Sequence, residues 1–202
     1  MSRSQMRAMA RLARFYAEAE MDKEYVSAMT TAVELFAGDR NITFELINAL
    51  IDKINNLRIQ IASNPSPELK SELEGRYEEL LRIMRSACNQ IPYNSELYFR
   101  TASLQFLRAE EGGDREKYKD AINFLKRAIA SDSGHLESYH LLAMCYERLG
   151  DEERALRFWR LFEVIYEMAP EIMGREFITD SRKSMHNDAV RRIAELEASG
   201  YE

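Results

Sequence analysis

The sequence predicts an all-α protein built from antiparallel helix pairs, and three observations predict it. Ala, Leu, Glu, Arg and Met dominate long segments broken by only four prolines and eight glycines, a composition that favours helices. Apolar residues recur every three or four positions almost throughout, and no segment alternates as a strand does. Small residues also repeat at fixed steps: Ala121 to Ala128 is 7, Ala128 to Ala143 is 15 and Ala143 to Ala155 is 12, a period of 34. A period of this length marks stacked helical pairs.

The first unit, residues 5–38, opens on "MSRSQMRAMARLARFY". Arg3, Arg7, Arg11 and Arg14 fall within about 80° on a helical wheel, opposite Met9, Leu12, Ala13 and Tyr16, and no acidic residue precedes Glu18. This arginine stripe suits an anionic membrane surface, an organellar transit peptide or an acidic partner; the plainer reading is the solvated face of the first helix. Val26 and Val33 stand 7 apart and carry the small-residue ruler here.

In the second unit, residues 40–94, Asn48 follows Val33 by 15, but Asn48 to Leu80 spans 32 residues instead of 12, an insertion of 20. Ile47, Leu50, Ile54, Leu57 and Ile61 form one apolar stripe, and Leu69, Leu73, Tyr77, Leu80, Met84 and Ala87 a second, on either side of "SNPSP". Two such stripes about a short turn predict an elongated helical hairpin, with Ser66 as N-cap and Pro67 at the first helical position. Ten further residues per helix project the tip by roughly 15 Å at 1.5 Å per residue.

The third unit, residues 95–134, carries Ala102, Ala121 and Ala128, with seven extra residues within "AEEGGDR" and Gln105 at a place suited to an aromatic. The fourth, residues 135–170, contains "ESYHLLAMCYERLGDEERALRFW". Small residues let paired helices approach while aromatics fill the gaps between pairs, so packing accounts for the spacing. Residues 171–198 break the ruler and predict a capping helical segment with Met185, Ala189, Ile193 and Leu196 on its apolar face and Asp180 as its N-cap.

Residues 95–170 resemble two tetratricopeptide repeats, with Tyr139, Leu142, Ala143, Tyr146, Gly150, Ala155 and Pro170 standing where that family's pattern expects them. The resemblance extends over residues 5–170 as four units. It implies a single domain over residues 1–202, a right-handed superhelical array with the elongated hairpin and a capping helix. It also implies that the first helix of each pair lines a concave groove. That lining would comprise Arg11, Phe15 and Glu18, then Glu45 and Asp52, then Glu96, Phe99, Ser103 and Phe106, then His140, Met144 and the carboxylates of Glu137 and Glu147.

Such a face is an apolar strip edged with carboxylates, whereas family members that clamp the C-terminal carboxylate of heat-shock chaperones need Lys, Arg and Asn there. A basic or amphipathic protein segment is the expected partner, with aromatics as anchors and charges setting orientation and on-rate. The leading expectation is a non-catalytic adaptor or scaffold. A structural subunit of a homo-oligomer or larger assembly is the alternative, and an enzyme or metalloprotein a third.

A net charge of −6 offers no overall attraction to nucleic acid. Glu137-x-x-His140 is only half of a carboxylate-bridged di-iron pattern, and no phosphate loop, nucleophile elbow or His-Glu-x-x-His motif occurs. No catalytic residue, metal or cofactor is therefore expected. Cys88 and Cys145 lie singly inside helical patterns and read as buried reduced thiols. They favour a reducing compartment, the cytoplasm. No run is long and apolar enough to span a bilayer and the N-terminus lacks the apolar core of a secretory signal, although a chain already trimmed of a signal would read the same.

Overall fold

A computed structural model describes residues 12, 15, 16, 21–35 and 39–200, and these are helices and turns without a strand among them. The helices divide between two compact units that meet in sequence at Pro92 and Tyr93.

The first unit contains α1 (Asp22–Leu35), α2 (Arg40–Ser63) and α3 (Pro67–Gln90). Asp39 begins α2 by accepting the backbone N–H groups of Asn41 and Ile42 at 3.0 and 3.2 Å. Ser66 does the same for α3 through Leu69 N–H, ahead of Pro67. A missing N–H costs nothing at that first position, and the ring presets the helical φ. The two stripes face each other: Leu46, Ile47, Leu50, Leu80, Met84 and Ala87 are fully buried, and Ile54 and Tyr77 are 2% exposed. Toward the tip, Ile61, Leu69 and Leu73 are only half-buried. Asn48, placed by the ruler where a small packing residue belongs, is exposed; the inserted turns let Ile47 and Leu50 supply the buried contacts instead.

The second unit contains α4 (Ser95–Gly112), α5 (Arg115–Ser131), α6 (Leu136–Arg148), α7 (Glu152–Met173), a short 3-10 turn (Arg175–Phe177) and α8 (Asp180–Ala198). Consecutive helices pack on one another, and α8 also touches α6. Ala102, Ala121, Ala128, Ala143 and Ala155 are all at 0% exposure, so each small residue marks a close helix crossing. Tyr139, Leu142 and Tyr146 are buried beside them, and Trp159 and Phe162 are completely enclosed. Burying each large apolar side chain contributes roughly 1.5–3 kcal/mol.

The "AEEGGDR" insertion is absorbed by lengthening α4 to 18 residues. Gly113 then closes the helix at φ 66, a left-handed conformation that costs a side-chain-bearing residue more. Two boundaries differ from those the sequence predicts. Pro170 does not end α7, which continues to Met173, and Thr179 rather than Asp180 is the cap of α8, accepting Arg182 N–H.

Candidate functional site

Glu96, Phe99, Ser103 and Phe106 lie along α4, all half-buried. Arg100 Nε donates to Glu96 Oε1 at 2.5 Å, and His135 Nε2 lies 3.7 Å from Glu96 Oε2. The nearby His135 ring first, and then the hydrogen bond and charge of Arg100, lower the Glu96 carboxyl to about 2 against the opposing effect of burial. Phe99 lies 5.1 Å from the His135 ring, and Phe106 meets Tyr118 edge-on at 5.6 Å. Ser103 spends its hydroxyl on the Phe99 carbonyl at 2.9 Å. This face is therefore a fixed carboxylate at one end and two partly covered rings.

On α6, Glu137, His140 and Glu147 each meet a side chain of α8, and Met144 shares their side of the helix. Arg182 Nε donates to Glu137 Oε1 at 2.8 Å and its Nη1 to the Phe177 carbonyl at 2.9 Å. Arg192 grips Glu147 with Nε 3.1 Å from both carboxylate oxygens. Between them, His140 Nε2 is 3.4 Å from Asp188 Oδ2, and its ring packs edge-on against Trp159 and Phe162 at 4.9 and 5.5 Å. Burial pushes the His140 pKa below its ordinary value, while Asp188, Glu147 and Glu137 oppose that shift.

Both arginine–glutamate pairs join residues 45 apart in sequence, so α8 runs parallel to α6 in the position that the first helix of a further repeat would take. Ala189, Ile193 and Leu196 supply its buried apolar contacts. Arg182, Asp188 and Arg192 were not among the expected site residues. Their signal was present, since Arg182 and Arg192 repeat the ten-residue spacing of Glu137 and Glu147.

In the first unit Glu45 and Asp52 are exposed on α2. Their carboxylates face Tyr25 of α1 closely enough to add to the rise in its pKa that burial causes first. Phe15 is exposed, with its ring 6.0 Å from Tyr16. Arg11 and Glu18, with the rest of the N-terminal arginine stripe, lie outside the described residues. Among the described residues no three His, Cys, Asp or Glu side chains gather as a metal-binding group, and no helix is long and apolar enough to cross a membrane.

The comparisons with known proteins agree with this architecture. A tetratricopeptide repeat family model matches residues 114–158, which run from the cap of α5 into α7. A crystal structure of MamA is similar at TM-score 0.55 and 13% identity, over 95% of this chain and 89% of that one. MamA residues 41 to the end, from Desulfovibrio magneticus RS-1, match at TM-score 0.53 and 13% identity, over 98% and 97%. PcrH in complex with the chaperone binding region of PopD matches at TM-score 0.50 and 11% identity, over 74% and 92%. At these identities the likeness is one of fold. No curated protein matches the sequence.

Proposed function

We propose, from the premise that this all-helical chain contains a tetratricopeptide repeat at residues 114–158, that it is a non-catalytic scaffold holding a basic, amphipathic segment of another protein. The observation that carries the proposal is internal: α6 and α7 together already seat an amphipathic helix, whose two arginines sit on two glutamates of α6 and whose apolar stripe is buried. The chemistry expected of a partner is thus the chemistry that α8 brings to α6. The face of α4, with Glu96, Phe99 and Phe106, offers a related combination of carboxylate and aromatic rings. PcrH, of similar fold, is seen with a segment of another protein, which supports the same mode of use. Two buried free cysteines fit a reducing compartment such as the cytoplasm.

A fluorescent amphipathic helix of leucine and arginine, with arginines ten residues apart, tests the proposal on the full chain. Binding should weaken with added salt and fall about tenfold or more in Glu96→Lys and in Phe106→Ala. No binding, or binding indifferent to both substitutions, would overturn it.

A further inference from the structure

α7 is apolar on two faces, and only one of them is covered. Ala155, Leu156, Trp159, Phe162 and Ala169 point into the core. On the outer side Leu161, Val164, Met168 and Ile172 are 40, 51, 51 and 73% exposed. Their steps of three, four and four place them on one strip of a helix, and a contiguous exposed apolar strip rimmed by charges is the mark of an interaction surface. The strip is flanked along one edge by Glu153, Arg160, Glu167 and Glu171, which recur at similar helical spacing.

We propose that this strip is an interface with a second copy of the same chain, the two α7 helices lying antiparallel about a twofold axis between Val164 and Met168. The ends of the strip are complementary to each other in that orientation. Positions 160 and 172 exchange places, as do 161 and 171, so each Glu171 approaches the other copy's Arg160 while the four apolar residues meet along the centre. Surface shape agrees. A depression of about 300 Å³ lies at the N-terminal half of the strip, lined by Leu156, Arg157, Arg160, Leu161, Val164 and Glu153. Ile172, the most exposed residue of the strip, is carried onto that depression by the twofold, and the same contact is made twice, as an isologous interface requires. A parallel pairing would instead oppose Arg160 to Arg160 and Glu171 to Glu171.

In the single chain Arg160 donates to Glu197 at 2.7 Å, but both side chains are nearly half exposed, so that pair is well screened and easily shared. One helix face is small beside the roughly 1,600 Å² of a standard interface. The association should accordingly be weak, about micromolar.

Sedimentation velocity of the full chain across two decades of concentration should show reversible dimerisation. Ile172→Asp and Val164→Asp, both at exposed positions and checked for native helicity by circular dichroism, should weaken it about tenfold or more. Arg160→Glu should weaken it alone, and Arg160→Glu combined with Glu171→Arg should restore it. A chain monomeric at every concentration, even one that captures a foreign protein through this strip, would overturn the proposal. So would a dimer unaffected by Ile172→Asp, or a charge exchange that fails to rescue.

Discussion

Arg192 and Glu147 form a forked pair in which the carboxylate has a second claimant. The guanidinium Nε lies 3.1 Å from each Glu147 oxygen and Nη2 also donates to Oε2, while Trp159 Nε1–H donates to Oε1 at 2.6 Å. The Glu147 side chain is 8% exposed. One carboxylate thus ties the terminal helix to α6 and fixes the largest side chain of the core, and the same pair raises the pKa of Arg192.

Removing the guanidinium should therefore cost more than an exposed ion pair would. Arg192→Ala leaves a largely buried carboxylate with the indole as its remaining donor, and a cost of about 2–4 kcal/mol is expected. Arg191→Ala is the control, because its partner Asp188 is only i−3 on the same helix and Arg191 is 64% exposed; its loss should be far smaller, since an exposed pair is screened by solvent. Urea unfolding of the two variants measures the difference.

The repeating core was readable because it is written in residue volume. Ala121, Ala128, Ala143 and Ala155 must be small wherever helices cross, and Tyr139, Leu142 and Tyr146 must be large beside them, so spacing alone located them. The hairpin was readable for the same reason, through Leu50, Ile54, Tyr77 and Leu80. What α8 does to Glu137, His140 and Glu147 was not. Helical periodicity places a residue on a face but does not say which later element covers that face, and a carboxylate in a groove has the same signature whether its cation comes from another protein or from Arg182. Gln105 shows a second limit. It sits buried where an aromatic was expected and donates to Asp120 Oδ2 at 2.9 Å, a polar solution to a packing position that no periodicity announces.

The buried imidazole of His140 should make the fold sensitive to mild acid. Its pKa is lowered in the folded state from 6.5, first by burial, so the unfolded chain binds a proton more readily. Stability is then fully present above about 6.5 and falls as pH drops from there toward the lowered value. Asp188 opposes the lowering, so Asp188→Asn should depress the His140 pKa further and steepen the loss. Imidazole titration by NMR, with melting curves from pH 7.5 down to 5, reads both effects. A His140 titrating above its ordinary value would contradict this account.

Cys145 should be inert while the protein is folded. Burial, followed by the nearby Glu110 carboxylate, pushes its thiol up to about 12. At pH 8 only about one molecule in ten thousand would carry the thiolate. Cys88 is buried as well, and a thiol-reactive disulfide reagent should therefore modify both residues at the rate of unfolding. Instantaneous labelling of either in the native chain would show that the packing opens.

The tip of the hairpin should be dispensable to its own unit. From Arg58 to Glu72 every residue is exposed or half-buried, whereas Leu57 and Tyr77 mark where close packing begins on each helix. Replacing residues 58–72 by a short polar turn removes little buried area and shortens the loop, so the melting temperature should stay within about 4 °C. A larger fall would mean that Ile61 and Leu69 contribute to a closed layer.

Truncating Leu142, Phe99 and Phe106 separates packing from binding. Leu142 is at 0% exposure between α6 and its neighbours, and Leu142→Ala should cost about 2–5 kcal/mol because the cavity cannot collapse fully. Phe99 and Phe106 are half-buried, each with one flank on the core of the second unit and one ring neighbour, His135 or Tyr118. Phe→Ala at either site should therefore cost about 1–2 kcal/mol, below the 3–5 kcal/mol of a fully enclosed ring. Their outward flanks remain available to a ligand, and an aromatic anchor commonly costs at least 2 kcal/mol of binding when truncated. Each variant should thus lose more in binding the arginine–leucine probe helix than in stability, whereas Leu142→Ala should show the reverse order. Paired unfolding and titration experiments on the same preparations decide it, and a Phe99→Ala protein that loses several kcal/mol of stability while binding the probe undiminished would assign that ring to the core.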